Sequence, residues 1–152
     1  MDVALSEAGV AAIPGMVAAL AGFAGGAVWS SPALRCVAVA EALGGPFQCD
    51  ARLLELDFGD WEGVAWDDVP RDALDRWAER PAEFAAPGGE SVAALAARVR
   101  SFHDDLRRTG ADSIVMSHGG VLRMLRPLLR GEAIDLSLPA PGIGTVDIIS
   151  VP

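Results

Sequence analysis

Ser113-Ile114-Val115-Met116-Ser117-His118-Gly119-Gly120-Val121-Leu122 contains a change of structural period. Its first four residues form a short, continuous apolar run, fit for a central strand. From Val121 to Leu129 the pattern reads as a helix, and Gly119-Gly120 provides the turn between the two. A strand that passes through a tight turn into a helix is half of a βα unit, so this stretch points to an α/β sheet.

The alternation continues on either side. Ser6 can cap an Ala-rich helix reaching about Phe23, with Pro14 expected to kink it. Ala27-Val28-Trp29-Ser30 reads as a buried strand after Gly25-Gly26, and Pro32 to Leu43 as a helix stopped by Gly44-Gly45. Phe47 to Leu54 is expected to be extended, Glu55 to Val69 irregular and acidic, and Arg71 to Glu79 helical. Between Glu90 and Arg108, the residues Val92, Leu95, Val99, Phe102 and Leu106 form one stripe of a long helix. Val146 to Val151 reads as a last strand. The expected fold is a single three-layer α/β domain over residues 1–152, a mostly parallel sheet with helices on both faces.

Composition agrees with a packed domain. At 152 residues, 51% apolar and 22% charged, the chain is neither disordered nor low in complexity, and it can bury a full core. Twelve basic against twenty-one acidic residues leave a net charge of −9, which argues against nucleic acid as a partner. Every cation is arginine, and lysine, asparagine and tyrosine are absent, the codon signature of a GC-rich, bacterial-type genome. The segment from Asp50 to Glu90 carries twelve acids and four arginines, which suits either a substrate-facing loop region or an ordinary solvated face. Cys36 and Cys49 lack metal-ligand spacing and read as buried thiols of a cytoplasmic protein, with a disulfide the lesser alternative. The apolar stretch from Ala11 to Ala27 is broken by Pro14, Gly15, Gly22, Gly25 and Gly26 and has no basic start. Neither export nor a membrane span is expected from it.

In open α/β sheets, ligands collect at the carboxyl ends of strands. Three polar clusters map there: Ser30-Ser31-Pro32-Ala33-Leu34-Arg35, Leu54 through Gly63, and Ser117-His118-Gly119-Gly120. His118 at a strand end, beside free N–H groups of a helix start, is placed to hold an anion, although it could equally cap a turn. Arg35 can turn a planar fork toward a phosphate, or simply face solvent. Glu55, at the edge of an apolar run, can serve as a general acid or be an ordinary loop carboxylate.

Taken together, these clusters resemble the histidine phosphatase superfamily, the phosphoglycerate-mutase-like fold. The resemblance is carried by Ser30-Ser31-Pro32 with Arg35, Leu54-Glu55 with Phe58-Gly59 and Trp61-Glu62-Gly63, Pro87-Gly88-Gly89-Glu90-Ser91, and Ser117-His118-Gly119-Gly120. Leu5-Ser6-Glu7-Ala8-Gly9 also matches the opening of the family's first helix. Asp57 through Gly63 and Arg35-Cys36 look most like the small alpha-ribazole phosphatases of cobalamin synthesis. The resemblance implies that Arg35, with Gly119, binds the phosphoryl group. It implies that Glu55 protonates the leaving oxygen and later activates water, and that His118 stabilises the phosphoryl oxygens. A small phosphorylated metabolite is the implied partner, without metal or cofactor. The acidic segment disfavours polyanions.

One departure is prominent. The family's nucleophile lies in an Arg-His-Gly motif at the end of its first strand, and no such motif occurs here. His103, the one other histidine, lies off the helix's apolar stripe and reads as a surface residue. The missing strand and nucleophile are expected upstream of Asp2, and these 152 residues alone are expected to be poorly stable or inactive. The alternative is a phosphate-binding homologue that has lost its nucleophile. A serine hydrolase is disfavoured because Gly-x-Ser-x-Gly is absent and Ser117 and His118 are adjacent. Asp57-Phe58-Gly59 cannot belong to a kinase in a chain without lysine, and no ligand spacing supports a metal-dependent hydrolase using Asp57, Asp60, Glu62 and His118.

Overall fold

The computed structural model describes residues 2–23 and 25–151. Among the described residues three strands, β1 (Ala27–Ser30), β2 (Gln48–Cys49) and β3 (Ser113–Met116), form a parallel sheet in the order β2-β1-β3. In the register, Trp29 pairs with Gln48 and Val115, and Ser30 with Cys49 and Met116. Among the described residues there are five α-helices: α1 (Glu7–Leu20), α2 (Leu34–Ala42), α3 (Arg71–Glu79), α4 (Val92–Thr109) and α5 (Gly119–Leu129).

The pleat divides the apolar residues between two cores. Trp29 and Val115 point to one face, where Leu53, Leu95, Val99, Phe102, Val121, Met124 and Leu125 of α4, α5 and a neighbouring turn are buried. Val28 and Ile114 point to the other, against Val39 and Ala40 of α2 and Ile13 and Met16 of α1. This is the three-layer α/β arrangement that the alternating sequence implies. The stripe along α4 is the expected one, with Leu95, Val99 and Phe102 almost fully covered. Helix ends follow the sequence signals: Ser6 Oγ accepts from Gly9 N at 3.2 Å, and Ser91 Oγ accepts from Ala94 N at 3.1 Å. Ser91→Ala should lower stability by about 1 kcal/mol, read as a shift in the urea midpoint.

Four expectations need correction. Val146 to Val151 is not a strand; it runs as irregular chain with Ile148 and Val151 exposed. Its β-branched residues favour extension, but a strand exists only when a neighbour completes its ladder, and no described residue does so. The extended run from Phe47 to Leu54 shrinks to Gln48–Cys49. There the Asp50 carboxylate accepts from Arg52 N at 2.8 Å and turns the chain into a 3₁₀ turn over Ala51–Leu53. His103 is not a surface residue: only 12% of its side chain is exposed, and its Nδ1 lies 3.1 Å from Asp104. Cys49 is exposed, because β2 is a sheet edge, and only Cys36 is a buried thiol. Among the described residues no helix is long and apolar enough to cross a membrane.

Candidate active site

The three polar clusters meet at the carboxyl end of the sheet. Ser31 N donates to Met116 O at 2.8 Å, Asp50 N to Ser30 O at 3.0 Å, and Ser117 Oγ to Leu53 O at 2.7 Å. Those bonds tie together the exits of all three strands, so His118, Ser31 with α2, and the Leu53–Glu55 segment must converge there.

His118 is the extended residue capping α5 and is 93% buried. Arg35, on the first turn of α2, places Nη2 2.9 Å from His118 Nδ1. A guanidinium can only donate, so Nδ1 carries the ring's lone pair. The neutral ring's proton then sits on Nε2 and donates to Ser31 Oγ at 2.8 Å, a tautomer fixed by its partners. Ser31 is fully buried, and its Oγ also accepts from Ala33 N at 3.3 Å. Burial first, and the neighbouring Arg35 charge second, hold the His118 imidazole below its ordinary range.

That depression makes stability depend on pH. The unfolded chain takes up a proton near pH 6.5, about the ordinary histidine value, while the folded ring resists until a lower pH. His118's contribution is therefore complete above that value and is lost as pH falls through the folded pKa. Urea midpoints should drop as the pH falls below about 6.5, and His118→Gln should flatten that part of the curve.

Glu55 reaches the same place from the opposite side. Its Oε2 accepts from Gly120 N at 3.0 Å, on the first turn of α5, and its Oε1 accepts from Leu56 N at 2.9 Å. The carboxylate thus meets the positive end of the helix that His118 caps. Gly120 is required for this approach, since a Cβ there would stand 2.3 Å from Glu55 Oε1. Gly119, the first helical residue, sits between His118 and Gly120 and so joins the two groups. The structure therefore brings Arg35, Glu55, His118 and Gly119 together at the start of α5.

Arg98 and Asp2 also shape the site and were not singled out from the sequence. Arg98 of α4 donates from Nη1 to Arg52 O at 2.6 Å and Leu54 O at 2.7 Å, and from Nη2 to Glu55 O at 3.1 Å. Its fork also meets Glu90, with Nε 3.0 Å from Oε2. Arg98 thus clamps the backbone that carries Glu55. Asp2 accepts from Leu34 N at 3.0 Å and caps α2 from outside the helix, where Ala33 offers no side-chain cap. Cys36 packs its sulfur 3.7 Å from His118 Nε2, and burial pushes its thiol up to about 11. With a thiol-exchange reagent at pH 8, Cys49 should react promptly and Cys36 only after unfolding, giving one fast equivalent out of two. Two fast equivalents would contradict the burial of Cys36.

The chain is similar to known proteins in sequence and in overall fold. Residues 1–139 match the family model described as the histidine phosphatase superfamily (branch 1). Phosphoserine phosphatase 1 of Hydrogenobacter thermophilus is 32% identical over 120 residues, 72% of this chain and 56% of that protein. The chain therefore spans little more than half the length of that curated relative. A mycobacterial glucosyl-3-phosphoglycerate phosphatase, solved with inorganic phosphate, superimposes with a TM-score of 0.75 at 26% identity. That match covers 93% of this chain and 77% of the other. An Escherichia coli protein provisionally called an alpha-ribazole-5′-P phosphatase gives a TM-score of 0.79 at 26% identity, covering 88% and 70%. With the family model matched over most of its length and its sheet and helices shared with solved members, this chain belongs to the histidine phosphatase superfamily, branch 1.

Proposed function

We propose that this chain carries the phosphoryl-binding and proton-transferring part of a phosphomonoesterase acting on a small phosphorylated metabolite. The observation that supports it best is the convergence of a guanidinium, an imidazole and a carboxylate on one helix start at the carboxyl end of a parallel sheet. Arg35 turns its fork from His118 Nδ1 to two phosphoryl oxygens, and His118 with the Gly119 N–H binds the oxygens facing α5. Glu55 passes a proton to the leaving oxygen and later takes one from the attacking water.

The covalent route needs a second imidazole. Its nitrogen attacks phosphorus, the P–N bond forms as the P–O bond breaks, and water then cleaves the phosphohistidine to free phosphate. His103 does not supply it, because it lies within α4 and its ring bonds Asp104. On this reading the attacking imidazole comes from polypeptide outside these 152 residues. The relatives' names include phosphoserine, glucosyl-3-phosphoglycerate and alpha-ribazole-5′-P phosphatases, and alpha-ribazole phosphate is among the candidate substrates here.

The test compares two proteins. The 152-residue chain is expected to bind orthophosphate and hydrolyse no ester. A version extended upstream through an Arg-His-Gly segment is expected to hydrolyse phosphomonoesters, and His118→Ala should slow it at least tenfold, about 1.4 kcal/mol of transition-state stabilisation. Phosphate binding with no hydrolysis by the extended protein would instead support a binding homologue, a reading favoured by the position of His103 away from the pocket.

A further inference from the structure

A cavity lies along the chain that follows Glu55. It measures about 170 Å³ and is lined by Phe58, Trp61, Glu62, Val64, Trp66 and Val69. Apolar cavities of about 150 Å³ hold a benzene ring, so the volume suits one aromatic ring. The cavity is within reach of the site, because Phe58 is three residues from Glu55, a span of at most about 11 Å. Glu62, on its wall, accepts from Phe58 N at 3.2 Å and lies within the electrostatic field of Arg35.

Its aromatic walls are held in place but not covered. Trp66 packs edge-on against Phe58 at 5.9 Å and Trp61 at 6.4 Å, and stacks on Trp77 at 5.9 Å. Trp61 in turn stacks on Phe84 at 5.6 Å. Despite these contacts Trp66 is 54% exposed. A rigid indole that lines a cavity and stays open to solvent is a surface on which a planar group can stack. Charge adds a second constraint. Asp57, Asp60, Glu62, Asp67 and Asp68 lie between residues 57 and 68, with no arginine among them, so a second anionic group would be repelled.

We propose that this cavity receives the leaving group of the phosphomonoester, and that the leaving group bears a flat aromatic ring and no second negative charge. The proposal rests on the phosphate reading of the Arg35–His118 pocket. Trp66 stacks on the ring and Phe58 and Val69 line its edge, while the phosphoryl group lies toward Arg35.

Phenylphosphonate and methylphosphonate test this, since both present the same non-hydrolysable anion and only one carries a ring. Calorimetric titration of the 152-residue chain should show phenylphosphonate binding at least tenfold more tightly. Trp66→Ala should bring the ratio of the two affinities to about one. Val64→Phe, which fills the cavity from an exposed position without adding charge, should do the same if Trp66→Ala fails to fold. Equal affinities in the natural chain, or a ratio unchanged in the folded variants, would overturn the leaving-group proposal and leave the phosphate pocket standing. If neither phosphonate nor orthophosphate binds, the phosphate reading fails and the leaving-group assignment with it.

Discussion

Arg98→Leu should destabilise the fold by about 2–4 kcal/mol, near the range for removing one member of a buried ion pair. Only about a fifth of either the Arg98 or the Glu90 side chain is exposed, so water can do little to replace the lost partner. Beyond that pair, the substitution strands the carbonyls of Arg52, Leu54 and Glu55, each of which accepts from the same guanidinium. Leucine fills the apolar volume of the stem but supplies no donor. Because the stranded carbonyls belong to the segment carrying Glu55, the loss also reaches the site. Hydrogen exchange should speed up at Leu54 to Leu56 well before the global transition. A variant as stable as the natural chain, with unchanged exchange there, would show that the clamp is decorative.

Arg35→Met should weaken orthophosphate binding about 10- to 100-fold, the loss of one or two charge-assisted hydrogen bonds at about 1.5–3 kcal/mol. The same substitution should raise the His118 pKa, because the nearby guanidinium charge is one of the two main causes holding it down. The two effects separate the roles of Arg35. An affinity loss without a change in His118 titration would place the guanidinium away from the ring. A change in titration without an affinity loss would make it a structural neighbour only. Methionine keeps the unbranched stem on α2, so the helix itself should be undisturbed.

Much of this site was legible because the superfamily's motifs are short and contiguous. Ser117-His118-Gly119-Gly120 shows its strand-to-helix turn in four letters, and Arg35 and Glu55 each sit in a run that ends a strand. What could not be read was anything set by distance along the chain. The eight-position separation of Glu90 and Arg98 gives no hint that Arg98 also grips three carbonyls forty or more positions earlier. Asp2 as a cap for α2 is equally invisible, since caps are sought one residue before a helix rather than thirty-two.

The misreadings share a cause. Val146 to Val151 has strand composition, but a strand is a property of a pair, and local propensity says nothing about the partner. His103 lies off the apolar stripe by helical periodicity yet is mostly covered, because periodicity describes one helix and not what neighbouring segments lay across it. Cys49 reversed the error: a residue type usually buried lies on an edge strand and is exposed. The aromatic residues Phe58, Trp61, Trp66, Trp77 and Phe84 were visible as letters, but only the fold shows them as one cluster.

The convergence of Arg35, Glu55 and His118 is tested most directly by following the His118 imidazole by nuclear magnetic resonance while orthophosphate is added. A bound anion beside the ring should move its resonances saturably and raise its pKa, since negative charge favours the protonated form. In Arg35→Met the same shifts should need at least tenfold more phosphate. Resonances of His118 that stay fixed while phosphate saturates the protein, or that move identically with and without Arg35, would contradict the account.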